Sequence, residues 1–472
     1  IILLHLNLFG EDEGPVAWKE RVKPYLGDKQ FYKQVVAIAL PISAQSLITI
    51  GVNMTDTVML GKLGETALSA SSLANQFISI FQICCMGIGM GASVLTSRYW
   101  GMQDKHSLRK AITIMLRLCF VFGLGFTVAT ILAPEGLMRI YTSDPALIQA
   151  GASYFRWSIP CYWLLGFSLT CTIVLRSVGQ VKLPLICSIC AFFINVFFNY
   201  LFIFGSFGAP RMEVAGAALG TVIARVFEFC FICGYFLFVD KKVGYRPKHL
   251  AMKCRDMVGD YLRISIPVLV SDTLLGLGNN AVAMVMGRIG ATFVSANAIT
   301  TVTQQLSTVF IQGISNASSI ITGHTLGQGE YGKAQRQGVT FLGLGTVIGV
   351  LAGLLIMAIS GPIISFYDIT EETQGIAEQL MLAVGFIVIF QSMNSILTKG
   401  VLRGGGDTKF LMVADILFLW AASVPLGALA GLVWHLPAFW IYTFLKIDQI
   451  IKAVWCVFRL ASKKWIKRID SK

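Results

Sequence analysis

Apolar residues are grouped along this chain into twelve long segments separated by short polar connections. Each segment has around 20 residues or more, the length that an α-helix needs to cross the hydrocarbon layer of a membrane. The pattern therefore predicts an all-α integral membrane protein with twelve transmembrane helices. The segments are residues 34–60, 66–97, 111–134, 147–175, 183–205, 213–239, 259–287, 292–323, 338–361, 376–402, 410–433 and 437–459.

The second half of the chain repeats the first. Residues 41–64 align without gaps on residues 267–290 at an offset of 226, and the register continues for a further 37 residues. A second match, at an offset of 227, relates Val174-Leu-Arg176 to Val401-Leu-Arg403. Internal repeats are typical of transporter folds. The identical pairs in the first match include Pro41 and Pro267, Asn53 and Asn279, Gly61 and Gly287, and Gly64 and Gly290.

The repeat and the polar connections together predict two six-helix lobes. The longest basic connection, near the middle of the chain, carries six Lys or Arg residues and is the boundary between the lobes. The predicted parts are a cytoplasmic lead-in (1–33), an N-terminal lobe (34–239), a cytoplasmic linker (240–256), a C-terminal lobe (257–460) and a basic cytoplasmic tail (461–472).

Composition and charge fit a membrane protein and exclude a nucleic-acid-binding one. Only 13% of the residues are charged, against about 25% in soluble domains. The net charge of +13 comes from basic residues in the connections. Twenty-seven Lys and Arg residues fall on the side of both termini and four on the other side. Such a bias marks the cytoplasmic side, so we expect a multi-pass plasma-membrane protein with both termini in the cytoplasm. The eleven cysteines show no spacing typical of a disulfide framework or zinc site.

One acid in the first repeat has no counterpart in the second. Asp56 lies in an otherwise uncharged part of the first span, and Val282 takes its place in the second half. A charged residue inside a span costs about 2.5–3.5 kcal/mol on insertion scales, so it needs a partner or a task. Asn195 and Asn199, on one face of the fifth span, and Thr221 on the sixth lie at comparable depth.

This group of oxygen-bearing side chains predicts an ion-coupling site. Carboxylate, amide and hydroxyl oxygens suit a hard cation such as Na⁺, and a carboxylate also takes up a proton when its site dries out. Two structural alternatives stay open. The asparagines could serve merely as a hydrogen-bonded contact between two helices, and Asp56 merely as a cap at the end of a helix.

A second candidate site lies in the C-terminal half. Asp272 and Asp448 are both near the middle of their spans, and Lys446 is close to Asp448 in sequence. These residues could form a second cation or substrate site, or a structural Asp–Lys pair. Arg225 and Glu228, three residues apart on the sixth span, are interpreted as a structural ion pair.

Several stretches resemble the multidrug and toxic compound extrusion (MATE) family of transporters. They are Asp56-Thr-Val-Met-Leu-Gly-Lys-Leu-Gly64, Val174-Leu-Arg-Ser-Val-Gly, Asn195-Val-Phe-Phe-Asn-Tyr-Leu-Phe-Ile-Phe-Gly205 and Val401-Leu-Arg-Gly-Gly-Gly-Asp-Thr-Lys409. The resemblance implies two lobes around a central cavity and export of organic cations or amphiphiles driven by inward flow of Na⁺ or H⁺. It places coupling roles on Asp56 and Asn195.

The sequence departs from both of the family branches compared. The DinF-like branch has an acid where this chain has Asn199. The NorM-like branch has a seventh-helix acid about eight residues past its proline, whereas Asp272 comes five residues past Pro267. The tenth-helix acid of that branch has no counterpart in Gln391-Ser-Met-Asn394. Neither branch is therefore assigned.

The resemblance and the residues together predict a cation-coupled antiporter rather than an enzyme. We expect no cofactor, Na⁺ or H⁺ as the coupling ion, and small amphiphilic or cationic substrates. Membrane lipids are the other expected partners, nucleic acid is not, and the protein is expected to be monomeric. The alternative is a flippase for lipids or lipid-linked precursors in the same broader superfamily. A flippase cavity would be basic to hold a phosphate group, whereas the first-half motifs offer an acid and amides.

Overall fold

The computed structural model describes residues 25–63, 65–365, 367 and 369–467. Helices account for most of these residues, and the described part of the chain contains no β-strand. Most of the predicted lead-in, up to residue 24, and the end of the predicted tail, from residue 468, lie outside the described residues. Within the described part, the all-α prediction is confirmed.

The described residues of the first half form seven α-helices. They are α1 (Lys29–Gly61), α2 (Glu65–Gly101), α3 (Lys105–Leu132), the short α4 (Pro134–Tyr141), α5 (Pro145–Ser177), α6 (Lys182–Phe204) and α7 (Val214–Gly234). A π-helical turn, Tyr235–Val239, extends α7, and two short 3₁₀ turns, Ser206–Gly208 and Pro247–Ala251, lie in connections.

The second half follows the same order with more interruptions. Its helices are α8 (Arg255–Ile289), α9 (Ala291–Gly327), α10 (Tyr331–Ser365), α11 (Glu371–Ser395), α12 (Leu402–Gly404), α13 (Thr408–Phe418), α14 (Val424–Ala428), α15 (Ala438–Leu445) and α16 (Ile447–Ala461). π-helical turns at Ile396–Val401, Leu419–Ser423 and Leu429–Val433 join α11 to α12, α13 to α14, and extend α14.

All twelve predicted spans are helical. Ten continuous helical segments of the described residues are long and apolar enough to cross a membrane. The eighth span, α9, is a helix of 37 residues that carries many Thr, Ser, Gln and Asn side chains. The twelfth span is divided at Lys446 into α15 and α16, each shorter than a full crossing. The eighth span therefore differs from the other ten in its polarity, and the twelfth differs from them in the break in its helix.

Local sequence sets several helix ends. The carboxylate of Asp104 accepts hydrogen bonds from the backbone N–H groups of His106 and Ser107, both at 3.1 Å, and so caps α3. Asp144 caps α5 in the same way, and Pro145 fills the first helical position. Gly205 ends α6 with a φ of 69°, a left-handed conformation that glycine adopts without strain.

The chain forms two compact units. Among the described residues, one consists of residues 44–269, and the other combines residues 25–43 with residues 270–467. The divisions fall inside α1 and α8, close to Pro41 and Pro267, the proline pair of the repeat. We call residues 44–269 the first unit and the remainder the second unit. The lobe, linker and tail boundaries given above remain a sequence-based prediction.

The connection between the two halves is packed against α3. Asp240 accepts hydrogen bonds from Gln180, at 2.8 Å, and from the backbone N–H of Val243, at 3.0 Å. Arg109 of α3 donates to the Val243 carbonyl at 3.2 Å. Arg117, about two helical turns further along α3, donates to backbone carbonyls of the same connection. Arg117 falls inside the third predicted span, and these carbonyls are its partners.

Candidate functional site

The close approach of α6 and α7 determines the geometry of the candidate site. Gly216 and Gly220 lie one turn apart on α7 and face α6. A Cβ atom at Gly216 would stand 2.5 Å from the Phe202 carbonyl oxygen, and one at Gly220 would overlap the Asn199 side chain. Only glycine fits such a contact, because small residues let two helix backbones approach closely. The contact holds Asn199 against α7.

The four residues predicted for ion coupling form one chain of hydrogen bonds. Asn199 Nδ2 donates to Asp56 Oδ1 at 2.6 Å and to Asn195 Oδ1 at 3.2 Å. Asn195 Nδ2 in turn lies 3.5 Å from Thr221 Oγ1. The chain therefore connects α1, α6 and α7 through side chains alone. Asn195 and Asn199 are buried, and Asp56 and Thr221 are partly exposed.

Asn199 keeps one hydrogen-bonding atom unused. Its Oδ1 is buried and has no hydrogen-bond partner within the described residues. A buried acceptor left unpaired costs about 1–3 kcal/mol. The amide is therefore held in a position where it serves Asp56 at the expense of its own oxygen. The neighbouring carboxylate can accept more hydrogen bonds than the one from Asn199.

Asp56 opens into a polar cavity of the first unit. The cavity has a volume of about 800 Å³ and is lined by α1, α2, α5, α6 and α7. Ser, Thr, Asn and Gln side chains, such as Asn53, Asn75 and Gln82, make up much of the lining. Its volume is within the range of about 300–1,000 Å³ that is typical of small-molecule binding sites.

An ion pair lines the same cavity. Arg225 Nη1 lies 2.5 Å from Glu228 Oε2, and their side chains are 32% and 18% exposed. The sequence predicted this pair as a structural contact between two turns of one helix. The structure places it in the wall of the cavity that contains Asp56.

The repeat partner of Asp56 has a different environment. Val282 is 3% exposed and belongs to the apolar core of the second unit, together with Met286, Phe293 and Leu380. The same position of the repeat therefore faces a polar cavity in the first unit and a packed core in the second. The acid at position 56 is therefore explained by the cavity that it faces, because the same helix position in the second half carries a valine.

The three residues predicted for a second site have three different partners. Asp272 pairs with Arg403 at 3.3 Å. Asp448 pairs with Lys452 at 3.0 Å. Lys446 donates to Asn279 Oδ1 at 3.3 Å, and its backbone lies at the break between α15 and α16.

Two partners in this region were missed by sequence reasoning. Lys452 lies between Asp415, at 3.2 Å, and Asp448, and all three side chains are at most 7% exposed. Arg403 was assigned to a cytoplasmic connection, but its side chain is 6% exposed. The repeat held a signal for Arg403, since it matches Arg176, which donates to Gln45 Oε1 inside the first unit. Lys452 had no comparable signal.

No group of three or more His, Cys, Asp or Glu residues in the described ranges is arranged to hold a metal ion. The candidate ion ligands around Asp56 are instead one carboxylate, two amides and a hydroxyl. Neutral oxygen ligands with a single carboxylate suit a monovalent ion that must also be released.

Comparisons with known proteins agree with this fold. The chain is 25% identical over 445 residues to the probable multidrug resistance protein NorM of Thermotoga maritima, covering 92% of this chain and 93% of that protein. It is 22% identical over 445 residues to the uncharacterized transporter YisQ of Bacillus subtilis, covering 93% and 96%.

Solved structures show the same architecture. A multidrug resistance MATE family transporter in an outward-facing conformation superimposes with a TM-score of 0.82 at 19% identity, over 94% of this chain and 98% of that one. A MOP superfamily transporter from Pyrococcus furiosus, described as having a binding pocket of reverse polarity, gives the same TM-score, identity and coverage. The MatE family model matches residues 41–201 and 267–429, one match in each half. The chain therefore belongs to the MATE family of membrane transporters.

Proposed function

We propose that this protein is a multidrug exporter that exchanges small cationic or amphiphilic substrates for Na⁺ or H⁺ across the plasma membrane. The observation that carries the proposal is the chain of hydrogen bonds from Asp56 to Thr221, which lines the cavity of the first unit. The relatives named as multidrug resistance proteins support the drug-export part. Coupling to an ion rests on Asp56.

The physical basis of coupling is the cost of a charge in a dry environment. When water fills the cavity, the Asp56 carboxylate is solvated and ionised. When the site closes, the carboxylate loses water and must be neutralised by a proton or a bound cation. Ion binding and closure then become one equilibrium, which shifts by the difference in ion affinity between the two states. Substrate and ion compete for the same negative charge.

Asn199 suits both kinds of ion. Its Nδ2 donates to the ionised carboxylate. The Asn199 Oδ1 atom has no partner in the described structure. If Asp56 is protonated, a flip of the Asn199 side-chain amide lets this oxygen accept a hydrogen bond from the acid proton. A bound Na⁺ would instead take oxygen ligands from Asp56, Asn195 and Thr221, displacing the hydrogen bonds between them.

The cavity charge weighs against the flippase alternative. Its charged lining residues, among those described, are the two acids Asp56 and Glu228 and one base, Arg225. A phosphate head group requires a surplus of positive charge. An acidic surplus attracts cations, so the exporter is the function that this cavity supports.

The decisive experiment replaces Asp56 by asparagine, which keeps the size of the side chain and removes its charge. Efflux is measured from vesicles under a Na⁺ gradient and a pH gradient, one at a time. We expect gradient-driven efflux to fall by roughly tenfold or more, which corresponds to an interaction of about 1.4 kcal/mol. Insertion into the membrane should remain, and cationic substrates should bind more weakly because the cavity loses one negative charge.

The matched control is Asp144→Asn, at an exposed acid that caps α5 and that asparagine can also cap. This variant should transport like the parent protein. Near-parental efflux by Asp56→Asn under both gradients would show that coupling lies elsewhere, and Asp272 would be the next residue to test.

A further inference from the structure

The charge of the cavity can be counted from its described lining. With every group ionised, Asp56 and Glu228 contribute two negative charges and Arg225 contributes one positive charge. The remaining described lining residues are neutral polar or apolar. The cavity therefore carries one net negative charge when it is empty.

The position of Arg225 allows it to determine the net charge of the cavity. It lies four residues after Thr221 on α7, so the two side chains share a face of the helix. Thr221 is the end of the hydrogen-bonded chain from Asp56. On its other side Arg225 contacts Glu228 at 2.5 Å. Arg225 therefore contacts Glu228 directly, and the cavity as a whole keeps one negative charge.

The second unit offers a comparison, because it also contains a base next to two acids. There Lys452 contacts both Asp415 and Asp448, at 3.2 and 3.0 Å, and the three side chains are almost fully buried. In the first unit, Arg225 forms an ion pair with Glu228 among the described residues, and the two side chains remain 32% and 18% exposed. A base that lines a cavity affects whatever enters the cavity.

We propose that Arg225 restricts the cavity to one monovalent cation at a time, by cancelling the charge of Glu228. This proposal rests on the proposed function and specifies its substrate class. One organic monocation, one Na⁺ or one H⁺ neutralises the cavity. A dication leaves a positive charge behind, which is as unfavourable in a low-dielectric site as the negative charge of the empty cavity. Exchange of one substrate monocation for one coupling ion follows from this balance.

The test compares two quaternary ammonium ions with the same alkyl chain, decyltrimethylammonium with one charge and decamethonium with two. Binding to the purified full-length protein in detergent is measured by calorimetry. The parent protein should prefer the monocation. Arg225→Gln leaves two negative charges, so the Kd ratio should shift toward the dication by about tenfold or more. Arg225→Lys keeps the charge and should keep the parental preference.

Two further variants separate charge from structure. Glu228→Gln leaves Asp56 in place but brings the cavity to zero net charge, so both ligands should bind about tenfold more weakly or worse. The double variant Arg225→Gln with Glu228→Gln returns the cavity to one negative charge and should restore the preference for the monocation. A structural ion pair predicts no such restoration, because the double variant removes the pair completely.

The proposal is overturned if Arg225→Gln binds the two ligands with the parental Kd ratio, or if the double variant does not return to that ratio. The readout is equilibrium binding without any gradient. A failure of ion coupling at Asp56 appears only in vesicle efflux, so the two proposals fail in different experiments.

Discussion

The environment of a single residue explains why the two halves of this transporter differ. Asp56 and Val282 occupy equivalent positions of the repeat, on helices that follow the same sequence pattern. Helix α6, next to Asp56, supplies Asn199 as a hydrogen-bond donor, whereas Val282 packs in an apolar core. A buried acid is tolerated only where polar partners meet it. The functional asymmetry of the repeat is therefore built into α6 and α7, which hold those partners.

Gly220 should be essential for the Asp56 site. A Cβ atom at this position would overlap the Asn199 Oδ1 atom and stand 2.9 Å from its backbone nitrogen. Gly220→Ala should therefore push Asn199 away from Asp56 and reduce ion-driven efflux by about tenfold or more. The measurement is vesicle efflux at matched protein levels.

Gly234, near the end of the same helix, is the control for Gly220. A Cβ atom there meets nothing within 4 Å. Gly234→Ala should transport normally, and it should raise stability slightly because alanine favours helix by up to about 1 kcal/mol. Equal efflux by the two alanine variants would show that the α6–α7 contact does not position Asn199 for transport.

The sequence was sufficient to predict which residues form the Asp56 site. It was not sufficient to predict which other residues line the cavity beside them. Depth along each span was enough to group Asp56, Asn195, Asn199 and Thr221, because helix rise is constant. It could not show that Arg225 faces the same cavity, since depth does not give the direction of a side chain. The structure supplies that direction.

At the scale of helices, the offset between equivalent residues of the two halves changes by one residue. The starts of α5 and α11 are offset by 226 residues, but Ser177 at the end of α5 and Gly404 at the end of α12 are offset by 227. The π-helical turn Ile396–Val401 lies between them. A π turn accommodates one additional residue in a helix. The sequence contained this insertion as a changed offset, but it could not assign the extra residue to a helix or a loop.

The break at Lys446 was not predictable in the same way. The predicted span there, residues 437–459, contains no glycine, and its one proline stands at its first position. The helix nevertheless ends at Leu445 and restarts at Ile447. Asp448 then sits in the first turn of α16, where its backbone N–H donates to Ser423 Oγ at 2.9 Å. Lys446 contacts Asn279 and Asp448 contacts Lys452, so tertiary contacts accompany the interruption of the helix at this point.

Lys452 should hold the second unit together. Its ammonium is the shared partner of Asp415 and Asp448, and removing one partner of a buried ion pair typically costs about 3–5 kcal/mol. Lys452→Met keeps the length of the side chain but leaves two buried carboxylates without their cation. The melting temperature in detergent should fall by several degrees or the protein should fail to fold.

The matched control is Lys333→Met, which removes an exposed pair with Glu330 that lies at 2.8 Å. Such surface pairs contribute about 0–1 kcal/mol, so this variant should melt close to the parent protein. If the two methionine variants melt alike, the buried group of Lys452, Asp415 and Asp448 does not stabilise the second unit.

At the scale of the whole molecule, the repeat was the most informative feature of the sequence. It predicted twelve helices in two halves, and the described residues and the family comparison confirm that fold. It did not predict that the compact units divide inside α1 and α8, near the proline pair. Proline lacks a backbone N–H and weakens a helix locally, so it gives each of these helices a point where its two parts can pack differently.

The orientation of the molecule follows from its charges and is open to a direct test. The basic residues of the connections fall 27 to 4 in favour of the side that holds both termini. Because that bias marks the cytoplasmic side, the linker should be inside and the loop before α11 outside. Asp368, in that loop, lies outside the described residues, but Glu372 at the start of α11 is exposed, as is Lys248 in the linker.

Cysteine replacements at these two positions give opposite predictions in intact cells. Glu372→Cys should react with a membrane-impermeant maleimide added from outside, and Lys248→Cys should react only after the cells are permeabilised. The parent protein, with its eleven native cysteines, supplies the background signal for subtraction. Both variants sit outside the cavity that contains Asp56, so both should still export substrate, which verifies that the labelled molecules are folded. Labelling of Lys248→Cys but not Glu372→Cys in intact cells would reverse the orientation, and the positive charge of the linker would then face the outside.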